Sequence, residues 1–129
     1  MRSFSLDTTH GIILCRARLN CGKRSILIKL AVDTGASFTM VSLEAALAIG
    51  LDPSKAGRHI EISTANGIVF APVITIPSLE CFGAQVKHIE VVCHNLPPES
   101  PVEGLLGLNF LKAAKVVLDF KRNVLEIFK

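Results

Sequence analysis

The chain has no tryptophan and no tyrosine, so phenylalanine supplies all of its aromatic content. Proteins that hold single-stranded nucleic acid stack bases on aromatic faces along a basic groove, and this composition argues against such a partner. The basic residues form no stripe. Arg16/Arg18, Lys23/Arg24 and Lys121/Arg122 are isolated pairs in a chain of net charge +3, as solvated strand faces and turns commonly carry. No apolar run approaches the roughly 20 residues that a membrane-crossing helix needs, so no membrane partner is expected. Met1–His10 is mostly polar, with no basic stretch leading into an apolar core. No secretory signal is read there, and a cytoplasmic location is expected. The cysteines, Cys15, Cys21, Cys81 and Cys93, lack Cys-x-x-Cys spacing and sit beside apolar neighbours. They read as small buried hydrophobes in a reducing compartment. The histidines, His10, His59, His88 and His94, are equally dispersed. Cys93 and His94 are adjacent, but neighbouring strand residues point to opposite faces, so no metal site and no cofactor are expected.

What is present is apolar sequence in short runs: half of the 129 residues are apolar and 19% are charged. That balance excludes disorder and suits one domain spanning residues 1–129. Ile12–Leu19 and Ser25–Val32 read as strands joined by a turn at Asn20–Lys23, and the second ends with Ala31-Val32, apolar on both faces, just before Asp33. A short strand, Phe38–Val41, follows. Ser42 is placed to cap a helix over Leu43–Ile49, which Gly50 and then Pro53 stop. Glu61–Thr64 and Ile68–Ile76 flank Ala65-Asn66-Gly67, and Asn-Gly between alternating runs is a strong hairpin signal. Further strands are expected at Leu79–Phe82 and Gln85–His94, then a proline-rich loop at Leu96–Pro101, a short helix ending near Ala113 or Ala114, and a closing hairpin, Val116–Phe120 and Val124–Phe128. The fold class is mainly β, with one or two short helices.

One segment carries chemistry: Asp33-Thr34-Gly35-Ala36-Ser37, entered through Leu30-Ala31-Val32 and left through Phe38-Thr39-Met40-Val41. A second, Leu105-Leu106-Gly107, begins about 70 positions after Asp33 and precedes the last short helix. With these two motifs, and a hairpin between them, the sequence resembles the retroviral-type, retropepsin-like aspartic proteases whose chains carry one Asp-Thr-Gly each. The resemblance covers Ser25 to the C-terminus. It implies a closed or partly open β-barrel-like fold and an aspartic endopeptidase that works as a homodimer on polypeptide. Asp33 would supply one carboxylate of the pair. Two carboxylates in contact share one proton, so the ionised one can activate water while the protonated one donates to the scissile carbonyl oxygen. The other aspartates, Asp7, Asp52 and Asp119, lack a glycine two positions on, and Asp52 and Asp119 read as cap and turn groups. The second carboxylate would therefore come from another copy, across a two-fold axis.

On the same resemblance, Thr34 would hydrogen-bond across the dimer and Gly35 would let the backbone approach the carboxylates. Ala36 completes the loop, Ser37 would orient the outer carboxylate oxygen, and Leu105, Leu106 and Gly107 would support it from below. Ala65, Asn66, Gly67 and Ile68 would form the tip of a flap touching substrate. Terminal strands Phe4–Thr8 and Val124–Phe128 could build an intermolecular sheet. Retroviral members usually carry arginine after the second-motif glycine. Here the run is Gly107-Leu108-Asn109, which implies apolar packing in its place. Ser37 lacks the Gly-x-Ser-x-Gly setting of a serine nucleophile. The other reading open to the sequence is a catalytically inactive binding or assembly module on the same fold.

Overall fold

The computed structural model describes residues 1–128. Ten strands and two short helices run in the order β1 (Arg2–Ser5), β2 (Leu14–Cys21), β3 (Arg24–Val32), β4 (Thr39–Val41), α1 (Leu43–Ala48), β5 (Arg58–Thr64), β6 (Gly67–Cys81), β7 (Ala84–Cys93), β8 (Gly104–Leu106), α2 (Leu108–Leu111), β9 (Lys115–Asp119) and β10 (Val124–Phe128).

Six strands close a barrel in the order β2-β3-β8-β4-β7-β6, and β6 returns to β2 through Arg18↔Glu80, Leu19↔Leu79 and Asn20↔Ser78. The period-two pattern dictates which residues fill it. Along β2, Cys15, Ala17 and Leu19 are buried while Arg16 and Arg18 are exposed; along β3, Ile28 and Leu30 face in while Leu27 and Lys29 face out. Leu19, Leu30, Ile76, Leu79, Val91 and Leu106 are among the fully enclosed side chains. Burying a side chain of this size contributes about 1.5–3 kcal/mol, so the barrel interior dominates stability. Helix α1 closes one side with Ala45, Ala46 and, just past its end, Ile49 buried. The Ser42 hydroxyl accepts the Ala45 N–H at 3.1 Å, as a cap should.

Several expectations shift by a few residues for identifiable reasons. The first barrel strand starts at Leu14, and its turn to β3 needs only Gly22-Lys23, because Cys21 pairs with Arg24. β6 is one strand, where two were expected. Pro77, with no N–H to give, falls between the pairs Ile76↔Ile89 and Ser78↔Lys87, and the ladder resumes in the same register. Opposite it, His88 takes φ +53°, so the bend is absorbed on both strands. The N-terminal strand is Arg2–Ser5, in place of Phe4–Thr8. It pairs with β10, which also pairs with β9, giving a three-stranded sheet within one chain. β10 thus has no free edge for a second molecule. Asp52 and Asp119 cap local turns as read, accepting the Ser54 N–H at 2.9 Å and the Arg122 N–H at 2.9 Å.

The parallel pairing of β3 with β8 positions the site. Val32 lies opposite Leu106, so the chain leaves both strands at one level and delivers Asp33 and Gly107 side by side.

Candidate active site

Asp33 follows β3, and its N–H donates to the Leu106 carbonyl at 3.0 Å, extending the ladder by one bond. The chain then turns sharply. The Ala36 N–H returns to the Asp33 carbonyl at 3.2 Å, and the Gly35 N–H donates to Asp33 Oδ1 at 2.8 Å. A Cβ at position 35 would stand 3.2 Å from that oxygen, so glycine keeps the carboxylate uncrowded. The hydrogen bond expected from Ser37 is supplied by Gly35. A backbone donor next door reaches the carboxylate with no side-chain rotamer to fix, and Ser37 instead offers its carbonyl to the Asn109 N–H at 3.3 Å.

Beneath the loop, Gly107 permits very close packing: a Cβ there would lie 2.6 Å from the Phe38 carbonyl oxygen and 2.8 Å from that of Ala36. The Leu108 N–H donates to the Ala36 carbonyl at 2.8 Å. A polar network ties these pieces together. Thr39, fully buried, donates its hydroxyl to Asn109 Oδ1 at 2.9 Å and accepts the Gly107 N–H at 3.1 Å. Asn109 Oδ1 also takes the Thr39 N–H at 2.9 Å, and its Nδ2 donates to the Glu90 carbonyl at 2.6 Å. Every buried side-chain nitrogen and oxygen of this cluster is satisfied, the condition under which a buried network rigidifies. The Asp33 loop, β4, β7 and α2 are thereby held as one unit.

Above Asp33 opens a cleft of about 590 Å³, walled by Ala36–Phe38, Met40 and Leu105 on one side and by Ile60–Ser63 of β5 on the other. A second hollow of about 650 Å³ continues from Met40, Ile62 and Leu105 to the hairpin tip and to Leu96–Pro98 of the proline-rich loop. Together they form an elongated, mainly apolar groove with one carboxylate on its floor. Glu61, exposed on β5, is the other carboxylate at its margin. Arg58, at the root of the β5–β6 hairpin, bridges to Glu90 at 2.8 Å and lies 5.7 Å over the Phe38 ring.

Residues 22–113 match the protein family described as "gag-polyprotein putative aspartyl protease". The chain belongs to this family. Among solved structures it is similar to a retropepsin-like aspartic protease from Rickettsia conorii, with 27% sequence identity, a TM-score of 0.73, and coverage of 97% of this chain and 87% of that one. No curated protein sequence matches it. The closed six-stranded barrel with two short helices is the retropepsin-like fold that the sequence led us to expect.

In this retropepsin-like chain the two motifs read from sequence, Asp33–Ser37 and Leu105–Gly107, lie in contact. Thr34 stands apart from the cleft, beside an apolar hollow of about 350 Å³ that it shares with Val32, Leu108, Leu111, Val116 and Leu118. Leu108, where retroviral members carry arginine, thus has the apolar surroundings expected. At the hairpin, Thr64 pairs with Gly67, so Ala65 and Asn66 form the turn and line the second hollow. Gly67 alone takes the positive φ, +113°. Ile68 is 66% exposed and lines neither hollow; by the alternation of a strand it is Val69 that faces in. Sequence reading missed Phe38, Met40, Ile60 and Ile62 as walls, and the Thr39–Asn109 link. The only signal for that link was a threonine in an apolar run and an asparagine two places after Gly107.

Among the described residues, no group of three or more His, Cys, Asp or Glu side chains gathers as a metal site would need. Cys15, Cys81 and Cys93 are buried and Cys21 half-buried, all as free thiols.

Proposed function

We propose that this chain is one half of an aspartic endopeptidase, active as a homodimer, that hydrolyses peptide bonds in extended polypeptide. The observation that carries the reading is the placement of Asp33. It is fixed by Gly35 and Leu106 on the floor of an elongated apolar groove, at the level where the Gly107 loop packs beneath it. A carboxylate so held can exchange a proton with water, and it needs a second carboxylate of different protonation to polarise the scissile carbonyl. No second Asp-Thr-Gly exists in the sequence, so a second copy of Asp33 is the natural partner. The apolar surface around Thr34, Leu108 and Leu111 adjoins the Asp33 loop and suits the contact between copies. At the dyad, the pair shares one proton. The ionised Asp33 takes a proton from water, the water oxygen attacks the carbonyl carbon, and the protonated Asp33 donates to the carbonyl oxygen. Proton return to the amide nitrogen then releases the two fragments. Substrate would lie along the groove as an added strand under the β5–β6 hairpin, which serves as the flap.

The test is cleavage of an unstructured protein between about pH 4 and 7, with sedimentation in parallel. Asp33→Asn should lower cleavage at least about a hundredfold while leaving sedimentation and melting unchanged. Turnover in that variant at the unsubstituted rate would overturn the assignment. Cleavage by a monomer would overturn the dimer. A folded dimer that cleaves no unstructured protein would favour the inactive binding module.

A further inference from the structure

A second concave surface lies on the barrel wall, away from Asp33. It is a cleft of about 560 Å³ bounded by Arg2 of β1, Arg16 and Arg18 of β2, Leu27 of β3 and the Phe82-Gly83 turn. Leu27 precedes Asp33 by six residues along one extended strand, which puts the cleft about 20 Å from the catalytic loop. The sequence disperses its basic residues, but closure of the barrel gathers them. Arg2 arrives from the terminal sheet, and Lys29, opposite Arg16 in the ladder, adds a fourth cation to the same face.

Glu80 lies opposite Arg18 in the ladder, yet none of these cations is closed into an ion pair. Among the described residues the ion pairs involve only Arg58 and Arg122. Glu80 is the one carboxylate lining the cleft. Asp7, whose carboxyl also feels Arg16, is occupied by the Thr9 hydroxyl at 2.8 Å and the Thr9 N–H at 3.2 Å. Two of the guanidinium groups are also held in place. Arg2 lies 5.7 Å over the Phe4 ring and so close to Gly83 that any Cβ there would collide with it. Arg18 donates to the Ser25 hydroxyl at 3.1 Å. Clustered guanidinium groups in excess over carboxylates match oxyanions through their planar fork, and a concave wall of net positive charge concentrates anions.

Two features favour a polypeptide over a nucleic acid. Leu27 is 54% exposed at the cleft and offers apolar contact next to the charges. The one aromatic ring lining it, Phe82, is half-buried and engaged edge-to-face by Phe4 at 5.4 Å, a poor platform for stacking successive bases.

We propose that this cleft is an exosite that holds a carboxylate-bearing stretch of an extended polypeptide substrate, pairing its acidic side chains with Arg2, Arg16 and Arg18. The proposal rests on the proteolytic reading for the word substrate, and its test separates the two. At about 3.3 Å per extended residue, the acidic stretch would lie six or more residues from the bond cut.

Binding is measured first, on the full chain carrying Asp33→Asn, by fluorescence anisotropy of a labelled Glu-rich peptide. Affinity should fall with added salt, should drop at least about tenfold in the added double variant Arg16→Gln/Arg18→Gln, and should vanish for the same peptide with Gln in place of Glu. Equal binding by the double variant, or by the Gln peptide, overturns the proposal. So does a single-stranded oligonucleotide that outcompetes the Glu-rich peptide. In the cleavage arm, a substrate with an acidic stretch six or more residues from the cut should show a raised KM and unchanged kcat in Arg16→Gln/Arg18→Gln. Binding that behaves as stated, in a chain that cleaves nothing, keeps the acidic-segment site and removes the protease.

Discussion

Gly107→Ala is the sharpest test of how the site is supported, because the cost can be traced to two atoms. The glycine has φ −96° and ψ −174°, a conformation open to any residue, so alanine brings no backbone strain. What it brings is a methyl group 2.6 Å from the Phe38 carbonyl oxygen and 2.8 Å from that of Ala36. Neither oxygen is free to retreat. The Ala36 carbonyl holds the Leu108 N–H at 2.8 Å, and Phe38 is followed by Thr39, whose N–H is fixed on Asn109 at 2.9 Å. Relief therefore requires shifting the Asp33 loop away from β8 and losing at least one hydrogen bond. Overpacking costs about 1–3 kcal/mol and a lost hydrogen bond about 0.5–1.5 kcal/mol. The reduced freedom of the unfolded alanine chain returns about 0.4–1 kcal/mol. The middle of these ranges nets about 2–3 kcal/mol, which in a chain of this size lowers Tm by roughly 7–11 °C. Gly57→Ala is the matched control. A Cβ there meets nothing within 4 Å and no positive φ is involved, so Tm should hold or rise slightly. Calorimetry on both variants decides the matter. A Gly107→Ala melting temperature equal to that of Gly57→Ala would refute the close packing, and with it the idea that the second motif braces the first.

Thr39→Val preserves shape but strands the Gly107 N–H and one bond to Asn109, and should cost about 1–3 kcal/mol; a midpoint unchanged in urea would show that the network is dispensable. Alkylation at neutral pH should label Cys21 first. Burial pushes the Cys93 thiol up to about 11, and the Cys81 thiol, followed by burial, raises Cys15, so mass spectrometry finding either modified before Cys21 in the folded chain would contradict the barrel packing. Hydrogen bonds from Thr9 and Ser54 hold the Asp7 and Asp52 carboxyls below their usual 3.8. Their contribution is present above that value and lost as pH falls through the lowered one, so Asp7→Asn/Asp52→Asn should flatten the decline of Tm between about pH 4 and 2, and an unchanged slope would refute it.

Much of this architecture was legible because it rests on period and punctuation. The alternation of β2 and β3, the Ser42 cap and the prolines at 97, 98 and 101 each act locally, and each element formed within a few residues of where local chemistry placed it. Asp33–Ser37 and Leu105–Gly107 were legible as motifs, since few residues other than glycine allow such backbone approach. What sequence could not supply was anything set by closure. Pro77 reads as a break, yet β6 runs through it because the strand is paired on both sides of that point. The walls contributed by Ile60 and Ile62, and the Thr39–Asn109 bond across 70 positions, exist only once β4, β5 and α2 are brought together. The same holds for the arginine cleft: Arg2, Arg16 and Arg18 are unremarkable until β1 docks beside the β6–β7 turn. The terminal strands show the same limit from the other side. Their edge-forming character is plain in the sequence, but the partner is not, and β10 finds both of its neighbours within its own chain.

The division of labour in the groove follows from how each wall is paired. Asp33 grows out of β3, which has a strand on either side, and its loop is further held by Leu106, Gly107 and Asn109. Displacing it means breaking ladder bonds on two edges at once. β5 pairs with β6 alone and stands at the end of the sheet order; its outer edge has no ladder to break. At its root, Arg58 is held by an exposed bridge to Glu90 and by the face of Phe38, contacts of the kind worth about 1 kcal/mol or less. Where a wall of the groove must yield to admit a polypeptide chain, it is the one with least to lose on opening. On the proposed reading the hairpin is therefore the element that moves, and the carboxylate stays where the chemistry needs it.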